Sequence, residues 1–196
     1  MNNINYFGNL FAERQYQMID NLKKNNIKQL LASYLKENYV PRKHSYRSRL
    51  VSYDNEIFEE RCVCASSEPI HHRKIDELLD HMDDTFQETM FYHIDTKHLD
   101  EVEVYKRACI DRKLFSKIRS NKDYRPNKKT AICICFGLKL NIDESLDLLE
   151  KAGYTLSSSS KFDVIVRYFL ETEEYDIDLL NSILYDYRLK LLVGEE

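Results

Sequence analysis

Glycine and proline are scarce in this chain, four and three among 196 residues. Four glycines leave little material for phosphate cradles, and the fingerprints that need them are missing. There is no P-loop, no dinucleotide-binding Gly-x-Gly-x-x-Gly and no Gly-x-Ser-x-Gly elbow. No apolar run reaches membrane-spanning length, and the first residues carry no signal-peptide pattern. The expectation is a cytoplasmic protein that is not an enzyme, needs no cofactor and does not enter a membrane. Cysteine is present without a metal-binding pattern. Cys62/Cys64 and Cys133/Cys135 are each two apart, whereas structural zinc sites place two to four residues between paired ligands. Five cysteines, an odd number without a secretion signal, read as reduced thiols. A Cys62–His71 nucleophile pair has nothing to separate it from chance.

What the chain has is apolar residues, 43% of the total, at helical spacing. The stretch Leu99 to Ser120, LDEVEVYKRACIDRKLFSKIRS, organises the rest. It reads as two short helices joined by a tight turn. Asp100 is an N-cap with Glu103 three residues on, and Val102, Val104 and Ala108 supply apolar contacts. Cys109-Ile110-Asp111 breaks the period, and Asp111 caps a second helix. On that helix Leu114, Phe115 and Ile118 share one stripe, while Lys113, Ser116, Lys117 and Ser120 lie opposite, flanked by Arg112 and Arg119. One apolar side and one cationic, hydroxyl-bearing side suit a DNA major groove.

The net charge of −4 conceals segregation. From Tyr105 to Thr130, ten Lys or Arg stand against two Asp, a net of +8. From Asn141 onward the chain is acidic, with Asp143, Glu144, Asp147 and Glu150, then Glu171, Glu173, Glu174, Asp176 and Asp178. Such sorting fits a protein with one nucleic-acid-facing side, or a solvated basic loop beside an acidic tail.

The central stretch resembles the helix-turn-helix of the lambda-repressor-like (XRE) class of bacterial and phage DNA-binding domains. Against the pattern L-T-x-x-x-L-A-x-x-A-G-I-S-x-x-x-L-S-x-I, Leu99, Val104, Ala108, Ile110, Phe115, Ser116 and Ile118 hold the matching positions, with Asp100 and Asp111 as caps. TAICICFGLKLNIDESLDLL resembles the family's fourth helix, its L-x-L-x-x-D turn and the start of a fifth. Two residues depart from the pattern. Tyr105 stands where alanine is preferred, and Cys109 where the turn prefers glycine. A non-glycine residue at positive φ is strained, which leaves the geometry of this turn open. The resemblance implies a mainly α fold: a five-helix repressor-like bundle with extra C-terminal helices. It implies double-stranded DNA as partner and a homodimer. Arg112, Lys113, Ser116 and Lys117 are the base-reading candidates. Arg119, Asn121, Lys122, Arg125, Lys128 and Lys129 are the phosphate-contact candidates. The segment from about Phe86 onward is also similar to a helical module appended to some bacterial macro-domain proteins.

The other segments fall around that centre. Residues 1–68 are expected to form a unit of N-terminal helices and a hairpin, for interaction or dimerisation and able to take a protein partner, and residues 69–196 the helix-turn-helix domain with its C-terminal helical extension. Met1 to Tyr6 are expected to fray. Asn9 to Tyr39 is helical, with Leu10, Phe11, Met18, Ile19 and Leu22, then Ile27, Leu30, Leu31, Tyr34 and Leu35, and Asn25-Asn26 is expected to separate two helices. Arg42, Lys43, His44, Arg47 and Arg49 around Tyr46 form a second basic patch, either phosphate-binding or a solvated linker. Arg49 to Ala65 predicts a small β-hairpin turning at Asp54-Asn55. Ser66 to Pro69 reads as a linker. In the helix expected over His71 to Met82, His72, Asp76 and Asp80 recur every four residues, and i,i+4 charge pairing outweighs a metal reading. Thr85 and Glu88 form a capping box before Phe86, Met90, Phe91 and Ile94; His93 and His98 near its end read as packing or C-terminal residues. Pro126 marks a cationic loop. Thr130 to Leu140 is expected to be the most buried helix, and Gly153 stops the one after it. Ser160/Asp163 and Asp176 open two final helices, whose Tyr168, Phe169, Tyr185 and Tyr187 either extend the core or form a dimer face. The leading expectation is a DNA-binding transcriptional regulator of bacterial or phage type. The alternative is a protein-interaction or inhibitor module in phage–host conflict, on a repurposed helix-turn-helix fold.

Overall fold

The computed structural model describes residues 3–41 and 84–194, with side chains in the first helix from residue 17 onward. The helices among them are α1 (Asn3–Asn38), α2 (Phe86–Thr96), α3 (Glu101–Arg107), α4 (Arg112–Ser120), α5 (Lys128–Gly137), α6 (Ile142–Lys151), α7 (Lys161–Glu171) and α8 (Ile177–Asp186). No strand occurs among the described residues. The chain divides into two units, Met1–Val40 with Asp84–Glu196, and Pro41–Asp83. The basic patch at Arg42 to Arg49, the hairpin at Arg49 to Ala65, the linker and the His71 to Met82 helix lie outside the described residues.

Local sequence sets most helix starts. Thr85 and Glu88 exchange the two bonds of a capping box, with Glu88 N–H donating to Thr85 Oγ1 at 3.3 Å and Thr85 N–H to Glu88 Oε2 at 3.0 Å. Asp111, Asn127, Ser160 and Asp176 accept from the first-turn amides of α4, α5, α7 and α8. Two expected caps differ. Asp100 occupies the N-cap of α3 without a side-chain bond. Asp163 does not return the bond of Ser160, because its buried carboxylate accepts from Ser157 N–H at 3.0 Å and pairs with Lys128 at 2.7 Å.

The ends follow one recipe. After α2, α3, α5, α6, α7 and α8 the chain enters the left-handed region, at His98, Cys109, Lys139, Gly153, Glu173 and Arg188. The amide of that residue and the next then bond back into the last turn. At the first such corner, His98 N–H donates to Asp95 O at 3.1 Å and Leu99 N–H to Ile94 O at 2.9 Å. In a chain so poor in glycine, five of these six corners fall to side-chain-bearing residues, at φ from 49° to 54°. Each costs about 1–2 kcal/mol. The residue that follows repays it at several corners by packing into the core: Leu140 is fully buried, and Leu99, Ile110 and Leu189 lie against it.

The core centres on α5, whose residues Thr130 to Gly137 are all buried, as the apolar run predicts. α3 and α6 pack on α5, α2 on α6, α7 on α6, and α8 on α7. Gly137 lets α3 come close, since a Cβ there would lie 2.7 Å from Val104 O and 2.8 Å from Ala108 Cβ. Cys133 and Cys135 are core residues, and burial pushes each thiol up to about 12.

α1 departs from expectation. It is one helix from Asn3, running through Asn25-Asn26. Its residues Ile27, Leu31, Tyr34 and Leu35 pack on the core, and Leu31 is fully buried. Two asparagines cost a helix at most about 0.7 kcal/mol each, whereas burying one leucine contributes about 1.5–3 kcal/mol. Lys23 pairs with Glu174 at 2.9 Å, and Lys24 and Lys28 reach Asp186 at 2.8 and 2.6 Å. Tyr34 donates to Glu171 at 2.7 Å and meets the Tyr168 ring edge-on. Met1–Val40 therefore groups with Asp84–Glu196 in one unit. Met18, Ile19, Leu22 and Leu30 of the expected apolar pattern are exposed. The C-terminal helices extend the core: Tyr168 and Phe169 are buried and Tyr187 packs on it, while Tyr185 is 73% exposed.

Candidate nucleic-acid interface

α3 and α4 are joined by Ala108 to Asp111, as the sequence predicts. Cys109 takes the left-handed conformation at this turn, at φ 52°. Its sulfur is exposed, although partial burial still raises the thiol above its ordinary range. α4 is fixed at both ends. Asp111 accepts from Lys113 N–H at 3.3 Å, and buried Gln87 of α2 donates its amide to Arg119 O. Phe115 and Ile118 are buried and Leu114 half-buried, which turns the rest of the helix outward.

The four base-reading candidates Arg112, Lys113, Ser116 and Lys117 are all exposed, but they divide between two stripes. Arg112 and Ser116 continue to Arg119 at i, i+4 and i+7 and line a cleft of about 290 Å³ against α3. Lys113 and Lys117 run along the other side, where the Lys117 ammonium sits 4.7 Å from the centroid of the Tyr124 ring.

The phosphate-contact candidates separate by what already holds them. Arg119 pairs with Glu101 at 2.9 Å, tying α4 to the first turn of α3. Lys122 pairs with Glu88 at 2.9 Å. The Thr85 amide, then Lys122, pull the Glu88 carboxyl down to about 2. Lys128 pairs with Asp163 at 2.7 Å and donates to Thr155 O at 2.8 Å. Because Asp163 is only 4% exposed, Lys128 balances a buried charge. Asn121 accepts from Asp123 N–H at 3.0 Å and shapes the loop. Arg112, Lys113, Arg125 and Lys129 form no ion pair among the described residues.

Sequence reasoning missed Glu88 and Glu101 as partners of these cations, and Tyr124 as the ring under Lys117. Glu88 was visible only as a cap, and the other contacts join residues far apart in sequence. His93 is buried, and that burial lowers its pKa, with Glu144, Lys97 and Asp147 nearby. Among the described residues no three His, Cys, Asp or Glu gather to hold a metal. No described helix is long and apolar enough to cross a membrane. Comparison with protein-family models, curated proteins and solved structures finds no match to the chain.

Proposed function

We propose that this chain is a DNA-binding transcriptional regulator of bacterial or phage type, cytoplasmic and homodimeric, that reads duplex DNA with α4. In this reading α2 to α6 are the five helices of a repressor-like bundle, and α3, the Cys109 turn and α4 are its helix-turn-helix. The observation that carries it is the outward face of α4. Arg112, Lys113, Ser116 and Lys117 are exposed over a buried Phe115/Ile118 stripe, and among the described residues no carboxylate pairs with Arg112 or Lys113. Lys113 and Lys117 supply base-edge contacts, and Arg125 and Lys129, also without an ion pair among the described residues, supply phosphate contacts from the loop and the start of α5.

The test is retention of a random duplex pool at two salt concentrations, with sequencing of the bound fraction. An enriched palindrome with half-sites about one helical turn apart is expected. Lys113→Ala changes the preferred sequence. Arg125→Ala or Lys129→Ala weakens all sequences alike and flattens the salt slope by about one. No retention at either salt refutes the reading.

The internal pairing of Arg119, Lys122 and Lys128 favours a second reading, a protein-interaction or inhibitor module on the same fold. It requires a protein partner and no salt-dependent duplex binding.

A further inference from the structure

The cleft between α3 and α4 has two walls of different chemistry. Its volume, about 290 Å³, lies at the lower end of sites that take small organic ligands, roughly 300 Å³ upward. One wall is the α4 stripe of Arg112, Ser116 and Arg119; the other is Glu101, Val102 and Tyr105 of α3, with Phe115 between them. The Glu101 carboxylate is offset by Arg119, which leaves Arg112 as the cleft's net positive charge. Arg112 is exposed and unpaired among the described residues, one turn from the Ser116 hydroxyl. Across from them, Tyr105 is half-buried with its ring centroid 5.7 Å from that of Phe115, and Val102 is 41% exposed, a solvated apolar rim.

A simple anion satisfies Arg112 and Ser116 and leaves the aromatic wall wet. An apolar ligand does the reverse. Duplex DNA presents phosphates, but its base faces are stacked inside and cannot lie on Tyr105. A phosphorylated nucleoside with an unpaired base fits both walls, its phosphate on Arg112 and Ser116 and its base plane against Tyr105 and Val102. We propose that this cleft binds one such unit, either a free nucleotide or a single-stranded position in a nucleic acid. The proposal deepens the nucleic-acid reading above and adds a site on the side of α4 away from Lys113 and Lys117.

The full chain is titrated with a fluorescent single-stranded oligodeoxyadenylate, with 5′-AMP as direct ligand and competitor, and with a mixed-sequence duplex in parallel. Arg112→Ala and Val102→Glu alter exposed side chains, and thermal melts establish that both variants fold. Saturable binding of the strand or of 5′-AMP is expected, weakened roughly five- to tenfold by either variant, the loss of about one stacking or phosphate contact. Competition by 5′-AMP assigns the site to free nucleotides. Strand binding without competition assigns it to nucleic acid. Absence of saturable binding by both ligands, or binding that neither variant changes, overturns the proposal. Duplex binding weakened by Arg125→Ala in the same experiment leaves the regulator reading standing even then.

Discussion

Gly137→Ala sets two effects of opposite sign against each other at the contact between α3 and α5. Alanine is the better helix former, by about 0.5–1 kcal/mol. Its Cβ, however, would lie 2.7 Å from Val104 O, so α3 must retreat by about 0.7 Å to reach ordinary contact at 3.4 Å. The obstructing atoms are a backbone oxygen and the Ala108 Cβ, 2.8 Å away, not the flexible end of a side chain. Overpacking of this kind costs about 1–3 kcal/mol. The steric effect is the larger, and the net loss reaches up to about 2.5 kcal/mol. At about 2–4 °C per kcal/mol for a chain of this size, the melting temperature falls by up to about 10 °C. Differential scanning calorimetry reads the shift directly. Adding Ala108→Gly to Gly137→Ala removes the second obstruction and restores part of the loss. A melting temperature equal to or above the parent's would refute the close-approach argument and show that helix propensity governs this position.

Lys139→Gly relieves a left-handed corner, and after allowance for the freer unfolded chain it raises stability by about 0.5–1 kcal/mol, read from the urea midpoint; an unchanged or lower midpoint contradicts the strain assigned there. Lys128→Ala leaves buried Asp163 without its counter-charge and destabilises by about 1–3 kcal/mol, whereas Arg125→Ala at an exposed, unpaired cation stays within about 0.5 kcal/mol. Equal melting temperatures for the two variants would remove the distinction. In native protein a thiol-alkylating reagent modifies Cys109, while Cys133 and Cys135 react only after unfolding; peptide mapping by mass spectrometry decides. Because the last two thiols are raised to about 12 in the fold from an ordinary 9, the native state holds protons that the unfolded chain releases. Their contribution is complete below pH 9 and is lost as pH rises from there to about 12, so a stability that rises over that window refutes the assignment.

Between residues 84 and 194 much was legible because helix starts and stops are local. Thr85 with Glu88, Asp111, Asp176 and Gly153 each announce themselves within one turn of chain. The apolar density of Thr130 to Leu140 likewise gave its burial. α1 was misread at Asn25-Asn26 because a local preference worth a fraction of a kilocalorie yielded to contacts with α7 and α8. The left-handed corners at His98, Lys139, Glu173 and Arg188 were invisible without glycine to mark them. In the candidate site, the types and exposure of the α4 residues could be read from spacing. Which cations were already neutralised could not, because Glu88–Lys122, Glu101–Arg119 and Lys128–Asp163 join different elements. The role of Gly137 was not legible, because the atoms its missing side chain admits, Val104 O and Ala108 Cβ, belong to a distant part of the sequence.

The unit that contains α1 to α8 is interrupted in sequence by Pro41–Asp83. The Leu31, Tyr34 and Lys28 contacts hold α1 against the rest of that unit. The peptide bonds between residues 41 and 83 hold α1 near its site but contribute nothing to the site itself. A single cut in that interval thus converts a folding contact into a binding equilibrium. The piece ending near residue 41 becomes a detachable ligand of the remainder, which on its own uncovers Tyr168 and the flank of α8. The stability of the α4-bearing half would then depend on the concentration of that piece by mass action, with every residue of the candidate interface unchanged.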